Sequence, residues 1–265
     1  MKIVVCVKQV PEVTSVAVNP VTSTLQREGV RSILNPFCEY ALDQAVRLAR
    51  AHPGTEIISL SMGPLQARAA LLRTLELGAD RAILVTDRAF AGADTWATAQ
   101  TLAAAIRLAV PDFNLVFLGK QAIDGDTAQV GPELAEILAL PQITYGVAAE
   151  LSRSQRAVRV RRESERGYEV LEATLPALVT FSKGEPVRRV PSLQDLIASR
   201  QKSIQFIRAR DLGLPENELG LKGSFTQVVK VFPPREKPSG QVIQNVDAEM
   251  AARQIAAFLK ERKFI

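Results

Sequence analysis

Apolar residues are distributed along the first 145 positions in two alternating textures. The short runs "KIVVCV", "EIISLSMG", "RAILVTD" and "LVFLGK" are rich in β-branched residues, largely lack polar alternation and end in turn residues. Between them lie "CEYALDQAVRLARA", "LQARAALLRTLELGA", "DTWATAQTLAAAIRLA" and "AQVGPELAEILAL", whose apolar positions recur with a helical period. Strand and helix alternating at this spacing predict a parallel sheet with right-handed crossovers. Strands that stay apolar throughout predict burial on both sheet faces. The expected fold class is therefore α/β, a parallel twisted sheet of the doubly wound type with helices on both faces. Ligands of such sheets lie beyond the carboxyl ends of the strands, near a reversal of strand order. The turns after the strands are thus where the chemistry is expected.

After Tyr145 the texture changes. "RAVRVRRESERGYEVLEATLPALVTF" predicts two or three antiparallel strands with a turn near "ERG". A proline-broken link follows, then a short helix in "VPSLQDLIASR" with Leu193, Leu196 and Ile197 as its apolar side. From about Ile207 the chain becomes irregular, with Pro215, Pro233, Pro234 and Pro238. Helical period returns in "DAEMAARQIAAFLKERKF", where Asp247 suits the N-cap. The expected division is an α/β domain with its hairpin addition over residues 1–205 and an extended arm over 206–265. The arm is too poor in apolar residues for a core of its own, so it folds back on the domain or clasps another chain.

Charge changes this picture little. The net charge is +5, with much of the excess in "RSQRAVRVRRESER" and the final "KERKF". A basic chain suggests nucleic acid, an anionic cofactor or an acidic partner. Aromatic residues make up only 5% of the chain, which leaves little for base stacking. Arg159 and Arg161 alternate with Val158 and Val160 as the solvated face of a strand would, so no nucleic-acid partner is expected. Charges interrupt the longest apolar runs, so no membrane insertion is expected. The opening "MKIVVCVKQV" reads as a first strand, not a signal peptide. Two distant cysteines and one histidine, His52, fit a reduced, cytoplasmic protein without a metal site.

Four turns follow the four strands. The first excursion, "KQVPEVTSVAVNPVTSTLQREGV", ends in "NPFCEY", where Asn35 before Pro36 suits a turn or a cap. In "SMGP", Gly63 permits close backbone approach and Pro64 suits a helix start. "TDRAFAGADTWATAQ" offers Gly92, Asp94, Thr95 and Thr98, the ingredients of an anion site. "GKQAIDGDTAQVGPELAEILALPQITY" contributes Asp124, Asp126, Thr127, Gln129 and Gly131. Any one turn could simply cap its helix. Four on one sheet edge predict a nucleotide pocket, with amides and hydroxyls for phosphate and carboxylates for ribose hydroxyls. There is no "GxxxxGK[ST]", "GxGxxG" or "GxSxG", and no histidine beside a nucleophile. No catalytic side chain is expected, and Cys6 reads as a small buried residue.

Three blocks, "CVKQVP", "NPFCEYALDQAVRL" and "GKQAIDGDTAQVGPELAEILALPQITY", are similar to the β subunits of the electron transfer flavoproteins. The chain resembles that family over essentially its whole length. The resemblance implies a heterodimer with an α subunit that carries FAD, and a β subunit that holds either structural AMP or, in the electron-bifurcating branch, a second FAD. It implies a nucleotide site on Cys6, Asn35, Phe37 and Cys38, with Met62 and the adjoining Gly63 after the second strand. The same site takes in Ile123, Asp124, Gly125, Asp126, Thr127, Ala128, Gln129, Val130 and Gly131. "TDRAFAGADTWATAQ" looks like the bifurcating type, which would make Asp94, Thr95 and Thr98 contacts of the FAD phosphates. In that branch NADH is the donor, within the heterodimer only. One electron goes by way of the α-subunit FAD to an acyl-CoA dehydrogenase, and the other to ferredoxin or flavodoxin. Val190, Leu193 and Leu196 would form the dehydrogenase docking patch, and the C-terminal arm would contact the α subunit. The alternative is a non-bifurcating β subunit with AMP, shuttling electrons from acyl-CoA dehydrogenases.

Overall fold

The computed structural model describes residues 1–12, 31–185, 190–230, 240, 242 and 244–265. Residues 13–30 of the excursion expected after the first strand, and Pro233, Pro234 and Pro238, lie outside them. The elements begin with β1 (Lys2–Cys6), β2 (Gln9–Pro11), β3 (Ser32–Leu34), α1 (Pro36–Ala51) and β4 (Glu56–Met62). Next come α2 (Arg68–Leu77), β5 (Arg81–Val85), α3 (Thr95–Ala109), β6 (Leu115–Gly119) and α4 (Val130–Leu138). Then follow β7 (Gln142–Leu151), β8 (Ala157–Ser164), β9 (Gly167–Thr174) and β10 (Ala177–Phe181). The last are α5 (Leu193–Gln201), β11 (Ile204–Ile207), α6 (Ala209–Leu212) and α7 (Ala248–Glu261).

One sheet of nine strands, in the order β11-β5-β4-β1-β6-β10-β7-β8-β9, organises the first unit. It is parallel from β11 to β7, and β8 and β9 add antiparallel. The four repeats read from the sequence are β1–α1, β4–α2, β5–α3 and β6–α4. Successive side chains of a strand face opposite ways, and β1 shows the result: Ile3 and Val5 join a core that includes Leu42 of α1 and Leu71 of α2. Val4 and Cys6 join the other core, with Leu102 and Ile106 of α3 and Leu134 of α4. The doubly wound α/β architecture is therefore present, with the sheet buried from both sides. β10 lies between β6 and β7, where Phe181 meets Phe117 edge-on with ring centroids 4.8 Å apart.

The arginine-rich stretch forms β8 and its flanks. Arg159 lies 3.6 Å from both Glu150 and Glu172, and Arg162 lies 3.4 Å from Glu169. Arg159 and its two partners lie on an exposed face, where each pair contributes at most about 1 kcal/mol. Arg162 points to the opposite face, beside the buried Val158 and Val160, and is half-buried. Among the described residues no helix is long and apolar enough to cross a membrane.

The first compact unit runs Met1–Lys230, and β11 completes its sheet beside β5. Residues after α6 also return to it. The Leu221 amide donates to the Ala91 carbonyl at 3.0 Å. At Gly220, with φ of +52°, a Cβ would fall 2.2 Å from the Ala89 carbonyl oxygen. The second unit spans Val231–Ile265. Its helix α7 is capped by Asp247, which accepts from the Met250 amide at 2.7 Å, and it has no buried residue.

Gly119, at the end of β6, shows how tightly α1 is seated. A Cβ there would lie 2.6 Å from Phe37 Cβ, 2.7 Å from the Phe37 carbonyl carbon and 2.9 Å from the Cys38 nitrogen. Two of these are backbone atoms, so a side-chain rotation gives no relief. Gly119→Ala should therefore lower the unfolding free energy by about 1–3 kcal/mol, read as a lower urea midpoint. An unchanged midpoint would show that α1 can shift freely.

Candidate functional site

Strand order reverses between β1, whose successors β4 and β5 lie to one side, and β6, which lies to the other. Crossovers leaving these two strands diverge, and the gap between them is the usual ligand crevice of a doubly wound sheet. A cleft of about 840 Å³ opens there. Cys6, Leu118 and Gly119 line it at the strand ends, and Lys8, Asn35 and Cys38 follow from the β1 side. Met62 after β4, the loop and helix start at Ala93–Thr98, and the turn after β6 complete the wall together with Phe225, Thr226 and Val228.

Asn35 holds two of these walls together. It precedes α1, but its side chain does not cap that helix, contrary to one sequence reading; Pro36 opens the helix instead. The Asn35 Nδ2 donates to the Gln121 carbonyl at 2.9 Å, and Oδ1 accepts from the Ile123 amide at 3.2 Å. The same Nδ2 lies 3.2 Å from Cys38 Sγ. The residue is 1% exposed, so these contacts replace water that the amide has lost. On the open side, Lys8 Nζ meets Asp124 Oδ1 at 2.8 Å, and Gln121 Nε2 donates to Asp126. Asp126 and Ala128 are both left-handed, with φ of +56° and +57°. A non-glycine pair in this region is a strained turn held by its surroundings.

The opposite wall is built on the start of α3. Asp94 Oδ1 accepts from the Ala97 amide at 3.0 Å, and Oδ2 accepts from the Thr226 amide and hydroxyl at 2.9 and 3.0 Å. Burial works against ionisation of Asp94, but these donors outweigh it and hold its pKa below the usual aspartate value. The Asp94 amide in turn donates to Ser224 Oγ at 2.8 Å. One loop residue thus caps α3 and ties down the returning chain. Beside it, Thr95 Oγ1 donates to Glu133 Oε1 at 3.0 Å, linking the first turns of α3 and α4. The Thr95 and Trp96 amides, at the amino end of α3, have no acceptor among the described residues. The Trp96 and Phe225 ring centroids lie 5.6 Å apart, with the ring planes tilted by 36°.

The cleft gathers most of the residues singled out from the sequence. Cys6, Asn35, Cys38, Met62, Asp94, Thr95 and Thr98 line it, as do Asp124, Gly125, Asp126, Thr127, Ala128, Gln129, Val130 and Gly131. Three stand behind the lining. Phe37 packs on Gly119 with its ring 5.2 Å from Lys120 Nζ, Ile123 is the amide held by Asn35, and Gly63 donates to the Val85 carbonyl. Both Asp94 carboxylate oxygens already accept from Ala97 and Thr226, and an ionised carboxylate has no donor to offer a phosphate. Burial pushes the pKa of both Cys6 and Cys38 up, so the thiols stay protonated. Sequence reading passed over Lys8, Trp96, Lys120, Glu133 and the arm residues Phe225, Thr226 and Val228. For Trp96, Lys120 and Glu133 the available signal was their place within the quoted loops. Away from the cleft, Val190 and Leu193 are 85% and 73% exposed, and Leu196 is half-buried on α5.

Comparisons with known proteins converge on one family. The family model described as the electron transfer flavoprotein domain matches residues 22–209. An electron transfer flavoprotein subunit beta from Thermoanaerobacterium thermosaccharolyticum is 44% identical over 264 residues, covering 96% of this chain and 100% of the relative. The Caffeyl-CoA reductase-Etf complex subunit CarD of Acetobacterium woodii is 42% identical over 265 residues, covering 100% of both chains. Protein FixA of Sinorhizobium fredii is 42% identical over 261 residues, covering 97% of this chain and 91% of the relative.

The double role of Asp94 makes a stability prediction. Asp94→Ala should cost about 1–2 kcal/mol, the usual loss for an N-cap aspartate, and lower the melting temperature at neutral pH. Because the folded-state pKa is depressed, the carboxylate's contribution is present above the ordinary aspartate range. It is lost as pH falls through the folded value. Melting temperatures of wild type and Asp94→Asn should therefore converge in acid. A gap that persists unchanged into strong acid would contradict the assignment.

Proposed function

The chain belongs to the family of electron transfer flavoprotein β subunits, and from that premise we propose that its cleft holds a complete FAD as half of a heterodimer with an α subunit. The observation that carries this reading is the reach of the cleft. It is lined by the turn after β6, where an adenosine phosphate would suffice, and also by the start of α3 and the segment Phe225–Val228. Its volume of about 840 Å³ lies high in the ordinary range for small-molecule sites, roughly 300–1,000 Å³. The chemistry of the walls fits such a ligand. The unpaired Thr95 and Trp96 amides at the positive end of α3 suit a diphosphate. Trp96 and Phe225 offer apolar ring surface, and Asp124 and Asp126 lie at the turn where ribose hydroxyls would be met.

Bound FAD supplies acceptance of a hydride and return of its two electrons one at a time. On this reading NADH would be the electron donor, and the acceptors would be an acyl-CoA dehydrogenase, by way of the α subunit, and ferredoxin or flavodoxin. The residues of this chain bind and orient. Asn35 fixes the turn after β6, the α3 amides receive charge, and the Trp96–Phe225 pair keeps water from one side. The protonated, buried Cys6 and Cys38 add bulk and no nucleophile. Docking of the dehydrogenase on the exposed Val190 and Leu193 beside Leu196, contact of the arm with the α subunit, and a cytoplasmic setting belong to the same proposal.

One observation favours the AMP-binding alternative. Asp94 and Glu133 bring two carboxylates to the start of α3, which weakens that wall for phosphate. Cofactor content separates the two. The chain should be co-expressed with its α partner, the heterodimer denatured, and the released nucleotides counted. Two FAD and no AMP are expected. One FAD and one AMP would falsify the bifurcating assignment and leave a shuttle whose β subunit is a scaffold.

A further inference from the structure

Glu133 lies in the first turn of α4 and lines the cleft. Its two carboxylate oxygens have different surroundings. Oε1 takes the Thr95 hydroxyl at 3.0 Å. Oε2 is buried and has no hydrogen-bond partner among the described residues. Buried acceptors in native proteins are nearly always paired, and an orphan at a cleft marks a place where a donor is to be supplied. The environment is not one that a phosphate would complete, because the Asp94 carboxylate is close enough to push the Glu133 pKa further up, after burial itself and against the Thr95 bond. What an acceptor beside a second carboxylate needs is a neutral donor, such as a hydroxyl.

We infer that Glu133 is a ligand-recognising residue of the cleft, whose Oε2 accepts a hydrogen bond from a hydroxyl of the polyol chain of a flavin dinucleotide. The inference rests on the reading of the cleft as a dinucleotide site and deepens it. Next to the free α3 amides, which suit a diphosphate, the adjoining portion of such a ligand carries hydroxyls. Oε2 is the acceptor at that end of the cleft that lacks a donor. AMP, held by the turn after β6 and the Asn35 side, does not extend so far, and ADP brings the diphosphate without the polyol.

The test is a titration of the full-length chain with FAD, ADP and AMP, comparing wild type with Glu133→Gln and Glu133→Ala. Glu133→Gln keeps the size of the side chain and an acceptor for Thr95, and replaces Oε2 by a donor. It should weaken FAD about tenfold or more, the scale of a hydrogen bond to a charged group. Its AMP affinity should stay within about twofold on the same principle, since AMP does not reach that bond. Its ADP affinity should not fall, since losing the carboxylate's charge eases a diphosphate at the α3 amides; both also report that the fold is intact. Glu133→Ala should show at least the same loss for FAD. Unchanged FAD affinity in Glu133→Gln overturns the assignment while leaving the dinucleotide reading in place. An equal loss for all three ligands also overturns it, since Glu133 would then only brace the wall. A wild-type chain that binds AMP and not FAD overturns the dinucleotide reading itself, and this assignment with it.

Discussion

The side-chain amide of Asn35 sets the shape of the carboxyl edge of the sheet. Where strand order reverses, the chains leaving β1 and β6 diverge, and a side chain must span the space if their turns are to keep a fixed relation. The Ile123 amide demands an acceptor and the Gln121 carbonyl demands a donor. A carboxamide offers both from one planar group; aspartate lacks the donor and leucine lacks both. Asn35 is also tied through its own backbone, its amide donating to the Lys8 carbonyl and its carbonyl accepting from Cys38. The start of α1, the exit of β1 and the turn after β6 are thus one hydrogen-bonded body. The left-handed Asp126 and Ala128 are tolerable because this body holds the turn from behind.

Around that fixed point the cleft divides its labour by charge. The side nearest Asn35 has its cation and carboxylate already paired, Lys8 with Asp124, and presents backbone and hydroxyls. The far side concentrates negative charge at Asp94 and Glu133 against the positive end of α3, and leaves two amides and one carboxylate oxygen without partners among the described residues. Lys120 stands apart from both, its ammonium 5.2 and 5.4 Å from the ring centres of Phe37 and Tyr145. Such contacts hold a cation in place without neutralising it.

The sheet was legible in the sequence because burial on both faces leaves continuous apolar strands that no other arrangement explains. The turns were legible because a parallel sheet puts the ends of all its strands on one edge. What escaped has a common cause, which is distance along the chain. Nothing local in "SFTQV" shows that Thr226 binds Asp94, or that Phe225 faces Trp96; the arm looked irregular because its bonds are made to the loop after β5. Asn35 was read as a turn or cap because Asn before Pro is locally a good one, and only the approach of Gln121 and Ile123 diverts its side chain. Glu133 was hidden for the opposite reason. It fits the helical pattern of α4 so well that its second neighbour, Thr95 on another helix, left no trace.

The position of β10 has a consequence for how the chain is completed as it is made. β6 and β7 are near in sequence but are not neighbours in the sheet, and the strand that joins them arrives only after the β8–β9 hairpin has been synthesised. Until Phe181 emerges, β6 has an open edge, and Phe117 lacks the ring that later packs against it. A nascent chain ending near Tyr145 would contain four finished strand–helix units and still expose the middle of its sheet. Such non-local pairing is paid for in folding time, and it leaves an unpaired strand edge during synthesis, the kind of surface on which aggregation starts.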